Sequence, residues 1–187
     1  MIKLFVTRHG KAICNENGLA ASVSEKHCGG LSELGKKQAE ELLPELLKNE
    51  YDVIITSPMI RAYQTLWPYL RTFTRPPKIV ISDLVLERDL GDLRGKTLVE
   101  TKKFREDNNV VDRVSWLPPN GESILDVYER VKKFIEYLKD NFEDKSVLVC
   151  SHSVFLRTLD IFLNNGDIKS FYDYPEPEHG VVKKYLI

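Results

Sequence analysis

The chain opens Met1-Ile2-Lys3-Leu4-Phe5-Val6-Thr7-Arg8-His9-Gly10, and this stretch decides the fold. Lys3 to Thr7 (KLFVT) is a short, nearly continuous apolar run that stops abruptly at an arginine, a histidine and a glycine. A strand that is apolar on both faces belongs inside a parallel sheet covered on both sides. The same run is too short in its apolar part to be a signal peptide. In open α/β sheets, ligands bind beyond the carboxyl ends of the strands. The question is then whether other strands end as this one does.

They do. Asp52 to Thr56 (DVIIT) runs into Ser57-Pro58, with Arg61 shortly after. Lys78 to Ile81 (KIVI) is followed by a loop containing Glu87. Ser146 to Cys150 (SVLVC) runs into Ser151-His152-Ser153, and Val181 to Leu186 (VVKKYL) supplies a fifth strand. Helical patterns lie between these runs. Ser32 to Lys48 carries Leu34, Ala39, Leu42, Leu43, Leu46 and Leu47 near a 3.6-residue period, with Ser32 as N-cap and Pro44 predicting a kink or a division. Pro58 to Leu70 and Ser123 to Asn141 read the same way, and a last helix should begin near Ser153 and end by Asn164-Asn165-Gly166. Strands alternating with helices predict an α/β fold, a three-layer αβα sandwich with a mostly parallel central sheet. The 187 residues fit one domain. The segment from about 91 to 121, rich in charge and proline, departs from this plan and is expected to be a lid or insertion over one sheet edge.

Composition narrows the function classes. With 27 basic and 28 acidic residues the net charge is -1, which offers no global attraction to nucleic acid or to an acidic membrane. No apolar run approaches the roughly 18 residues of a membrane span. The three cysteines (Cys14, Cys28, Cys150) are odd in number and lack metal-ligand spacing. They read as free thiols in a reducing compartment, so a cytoplasmic enzyme without a cofactor or metal is expected. The C-terminal edge strand and the apolar residues around Phe155, Phe162 and Phe171 leave a dimer contact open.

Arg8, His9, Arg61, Glu87 and His152 thus leave the same edge of one sheet. An imidazole is a competent nucleophile near neutral pH when one ring nitrogen is held by a carbonyl and the other is free. Attack on a phosphate ester builds charge on the equatorial oxygens, which fixed arginine forks stabilise. A carboxylic acid of raised pKa can protonate the leaving oxygen. A zinc cluster of His9, His152 and Glu87 is disfavoured, because two adjacent guanidinium charges oppose a dication. His27 and His179 sit in no motif and read as ordinary histidines.

The same residues resemble the histidine phosphatase superfamily, the phosphoglycerate mutase-like fold, over nearly the whole chain. Thr7-Arg8-His9-Gly10 with Asn15 is similar to the family's RHG signature and its phosphate-contacting asparagine. Leu31 to Ala39 resembles its LTxxGxxQA helix, and Ser57 to Thr65 its SPxxRAxxT block. Leu86-Glu87 through Gly91 and Gly95, Gly121 to Val131, and Ser151-His152 with Arg157 complete six blocks in the family's order. By this resemblance His9 accepts the phosphoryl group. Arg8, Asn15, Arg61 and His152 bind it, and Glu87 is the proton donor and then the base for water. Arg157 and the block from Gly121 are implied to be structural. Three departures stand out: Lys11 where many members have Glu, Ser153 in place of a glycine, where its hydroxyl is placed to contact the phosphate, and Pro175 to Gly180 in place of an asparagine-containing turn.

Family members are phosphatases or mutases. A mutase must grip both ends of its substrate, and here only Arg94, Lys96, Lys102, Lys103, Arg105 and Arg113 of the insertion, with Arg88, offer charge for that. A phosphomonoester hydrolase is the expectation, acting on a small phosphorylated substrate or a phosphopeptide. A phosphoglycerate-type phosphomutase and a non-catalytic phospho-ligand-binding regulator are the alternatives.

Overall fold

The computed structural model describes all 187 residues. Five strands, β1 (Lys3–Arg8), β2 (Val53–Thr56), β3 (Lys78–Ile81), β4 (Ser146–Ser151) and β5 (Val182–Leu186), form one sheet in the order β3-β2-β4-β1-β5. The first four are parallel, and β5 is antiparallel to β1. The helices are α1 (Ile13–Glu16), α2 (Glu25–Cys28), α3 (Glu33–Leu46), α4 (Ile60–Leu70), α5 (Leu98–Asp107), α6 (Ile124–Asn141) and α7 (Ser153–Leu163).

Strand alternation sorts the core into two layers. Leu4 and Val6, Val53 and Ile55, and Val147 and Val149 face one way, where they pack with Val131, Phe134 and Leu138 of α6 and Phe155 and Leu159 of α7. Phe5, Ile54, Leu148 and Cys150 face the other way, against Leu42 and Leu46 of α3 and Ala62, Leu66 and Tyr69 of α4. The continuous apolar runs of β1, β2 and β4 therefore follow from burial on both faces, and β3, an edge strand, is mostly exposed. The three-layer sandwich predicted from sequence is the one observed.

Two local expectations change. Of the two outcomes expected of Pro44, division does not occur, since one helix runs from Glu33 to Leu46 with the proline near its C-terminal end. Nor are all three cysteines free: Cys14 and Cys28 form a disulfide, their Cα atoms 4.4 Å apart, and only Cys150 is unpaired and buried. The folding back of the loop that carries α1 and α2 creates this pair, which no sequence spacing announces. Within residues 91–121, α5 forms a regular helix with a Thr97–Glu100 capping box. No helix is long and apolar enough to cross a membrane.

Candidate active site

Arg8 ends β1, so His9 and Gly10 leave the sheet directly. A network of short bonds fixes this loop. Gly10 N–H donates to Thr65 Oγ1 (2.9 Å), whose hydroxyl donates to the Arg61 carbonyl (2.7 Å). Lys11 N–H donates to Gln38 Oε1 (2.8 Å), and Ser32 N–H donates to the Lys11 carbonyl (2.9 Å). Backbones also approach closely here: a Cβ on Gly35 would stand 2.0 Å from the Lys11 carbonyl oxygen, and one on Gly10 would stand 2.6 Å from that of Gly35. The two glycines let the N-terminus of α3 press onto the histidine loop.

His9 is 1% exposed, and Arg61, Glu87 and His152 are 0%, 2% and 0% exposed. His9 Nδ1 lies 2.6 Å from the Gly10 carbonyl oxygen, which can only accept, so Nδ1 carries the proton and Nε2 keeps its lone pair. Arg61 Nε donates to that Nε2 at 3.2 Å, while its NH2 group donates to the Ser22 carbonyl (3.1 Å). The His152 ring lies 5.0 Å from the His9 ring, centroid to centroid. His152 Nε2 meets Ser57 Oγ at 2.7 Å, and Ser57 Oγ already accepts from Met59 N–H (3.2 Å). The direction of the bond between Ser57 Oγ and Nε2 sets the His152 tautomer, because a hydroxyl oxygen with two lone pairs can accept twice or donate its own proton.

Glu87 Oε1 accepts from the backbone N–H groups of Arg88 (2.8 Å) and Val154 (3.1 Å). Its loop is held from below by Arg130, which donates to the carbonyls of Leu84 (3.1 Å), Leu86 (2.7 Å) and Glu87 (3.2 Å) and pairs with Glu122 (2.9 Å). Ser123 caps the helix that carries Arg130 and closes a capping box with Asp126.

Burial sets the protonation states. It holds His9 well below the ordinary histidine range, and the charge of Arg61 pushes the same way. Burial and then Arg61 do the same to His152. Both rings are neutral at pH 7. Burial raises Glu87 above the ordinary carboxylic range, against the pull of its two backbone donors and the two arginines. The site thus combines a neutral imidazole, a carboxyl of raised pKa and two arginines.

Buried polar atoms nearly always find partners. Arg8 Nε, Arg61 NH1 and His152 Nδ1 are buried here without any. The two arginine atoms are donors, and all three atoms belong to residues that the sheet brings to His9. The arrangement suits an oxyanion, whose oxygens would satisfy them.

The remaining sequence candidates make contacts of their own. Asn15 Oδ1 accepts from Ala12 N–H (3.0 Å), which fixes the side-chain amide within the histidine loop. Ser153 Oγ donates to Glu176 Oε1 (2.9 Å) rather than standing free for a phosphate. Arg94 bonds Asp89, and Arg88 donates to the Glu122 (2.7 Å) and Trp116 (3.0 Å) carbonyls; neither is left for a second substrate group. His27 meets only Ser24 Oγ (2.8 Å) at the surface, whereas Arg157 donates to the Tyr174 carbonyl and covers the Phe171 ring.

Sequence reading missed His179. It follows the proline-rich turn, bridges Arg8 in the backbone pairing, and donates from Nδ1 to the His9 carbonyl (2.6 Å), with its ring 5.5 Å from that of His9. The only available signal was its place two residues before the last strand candidate, next to β1 in the sheet.

A doubly covered α/β sheet that delivers a buried imidazole and two arginines to its carboxyl edge defines a protein built to handle oxyanions. The model of the histidine phosphatase superfamily (branch 1) matches residues 4–183, and the chain belongs to that family. It is 30% identical over 182 residues to phosphoserine phosphatase 1 of Hydrogenobacter thermophilus, covering 93% of this chain and 82% of that one. It is 32% identical over 169 residues to the 2,3-bisphosphoglycerate-dependent phosphoglycerate mutase of Rhizobium johnstonii, covering 86% and 79%. Among solved structures, Bacillus stearothermophilus YhfR superposes with a TM-score of 0.86 at 25% identity, covering 98% and 90%. The family's activities among these relatives are phosphatase and mutase.

Proposed function

We propose that the chain is a metal-independent phosphomonoester hydrolase that works through a phosphohistidine on His9. The observation that carries this reading is the unprotonated Nε2 of a neutral, buried His9 beside unpartnered polar atoms of Arg8, Arg61 and His152. In the first step His9 Nε2 attacks phosphorus and the ester P–O bond breaks. Glu87 gives its proton to the leaving oxygen. Substrate oxygens must first take over the Arg61 Nε–H that now points at the His9 lone pair. In the second step the Glu87 carboxylate takes a proton from water, which attacks the phosphohistidine, and inorganic phosphate leaves with His9 restored. The guanidinium charges act on the oxygens throughout, which is the role a divalent cation would otherwise fill.

Hydrolysis is favoured over phosphoryl return by the fate of the insertion's charges. Arg94, Lys96, Lys102 and Lys103 pair with Asp89, Glu100, Glu106 and Asp107, and Arg105 and Arg113 lie over the Trp116 and Tyr172 rings. That is a solvated, self-neutralised face rather than a grip on a second anionic group. The relatives point to small phosphorylated metabolites as the substrate class.

Release of phosphate from an aryl phosphate in excess chelator should continue unchanged, and His9→Ala should abolish it. Rapid quench should trap a phosphoprotein that is stable to base and labile to acid. Chelator-sensitive turnover would refute the metal-free mechanism, and isomerisation of a monophosphoglycerate primed with 2,3-bisphosphoglycerate would establish a mutase.

A further inference from the structure

Arg8 is buried, yet it is not free to serve a substrate with its whole fork. Its NH1 group donates to the Pro177 carbonyl (2.8 Å) and forms an ion pair with Glu176 Oε1 (2.8 Å). The same carboxylate oxygen accepts from Ser153 Oγ at 2.9 Å. Glu176 therefore sits between two groups of the candidate phosphoryl pocket, with its own side chain still 60% exposed. Partial burial works against its charge, but Arg8 and the Ser153 hydroxyl outweigh that and hold Glu176 below the ordinary carboxylate range. It is an anion at neutral pH.

A carboxylate bonded to an arginine of an oxyanion pocket subtracts from that pocket's field. With His9 and His152 neutral, the pocket's positive charge comes from Arg8 and Arg61, and Glu176 offsets that of Arg8. The cost falls most heavily on a dianion such as inorganic phosphate. Its position also accounts for Ser153: a glycine there would remove the hydroxyl that holds the carboxylate in place.

We propose that Glu176 is a specificity-determining counter-ion of Arg8, held by Ser153, that weakens the pocket's affinity for dianionic oxyanions and so speeds release of product phosphate. The proposal rests on the reading of Arg8 as a phosphoryl ligand. It differs from a purely positioning role, in which loss of Glu176 would misplace Arg8 and weaken binding.

Glu176→Gln separates the two, because the amide oxygen can still accept from Arg8 and Ser153 while the charge is gone. Inorganic phosphate and vanadate are titrated calorimetrically and as competitive inhibitors of aryl phosphate hydrolysis at pH 7. Removing one charge at this range should tighten phosphate binding by about tenfold, with KM falling in parallel and kcat falling where release limits turnover. Glu176→Asp keeps the charge and should bind phosphate as the parent does. Ser153→Gly loosens the carboxylate and should fall between, which preserves the test if Glu176→Gln does not fold. Equal or weaker phosphate binding in both charge-relieving variants, with the parent active, overturns the counter-ion role. A parent protein that hydrolyses no phosphomonoester would instead overturn the hydrolase reading.

Discussion

At the scale of single residues, the site separates two carboxylates by their surroundings. Burial raises the Glu87 carboxyl above the ordinary range, whereas Glu176, half in solvent and paired with Arg8, is held below it. The proposed mechanism requires His9 neutral, above its lowered pKa, and Glu87 protonated, below its raised one. The pH profile of kcat/KM should therefore fall on its alkaline side as Glu87 ionises, and Glu87→Gln should remove that limb. The same substitution should slow an alkyl phosphate by about 10²–10⁴-fold, the usual worth of general acid catalysis. An aryl phosphate, whose leaving group needs little help, should give a burst of phenol and an accumulated phosphohistidine, because the base for water is missing. An unchanged alkaline limb would remove Glu87 from the mechanism. These residues were legible because each sits just beyond a strand. His179 and Glu176 were not, since their partners Arg8 and His9 lie some 170 residues away in the chain and no local pattern marks the contact.

At the scale of elements, the joint between α3 and the histidine loop is the sensitive one. Gly35 was visible in sequence as one residue of a helical block, but its physical reason was not: the missing Cβ lets helix backbone touch the Lys11 carbonyl. Gly35→Ala should cost about 2–3 kcal/mol, as overpacking against rigid backbone does, and should lower kcat, because the Lys11 carbonyl that anchors Ser32 moves with His9. Urea unfolding and steady-state kinetics on one preparation check both, and a stable, fully active variant would contradict it. The strands were readable because β1, β2 and β4 are buried on both faces and thus continuously apolar. Pro44 was misleading because a proline near a helix's C-terminal end leaves most of its hydrogen-bond ladder intact.

At the scale of the whole molecule, the buried site ties stability to pH. Below pH 6.5 the unfolded chain binds protons at His9 and His152 that the native state refuses, so stability falls as pH drops. Glu87 acts oppositely, since the native state holds a proton that the unfolded chain releases above pH 4.5. Three histidines held below their ordinary range, His179 among them, outweigh one carboxyl held above its own, so stability should rise with pH between pH 5 and 6. Denaturant unfolding from pH 5 to 7 should show it, and His9→Gln should flatten it. A flat parent curve would mean that the imidazoles accept protons in the native state. The contact of His179 with the carbonyl of His9 spans 170 positions of sequence. During synthesis the His9 loop precedes the residue that closes over it by 170 positions. A nascent chain can assemble its four parallel strands and still lack a finished pocket until His179 has followed.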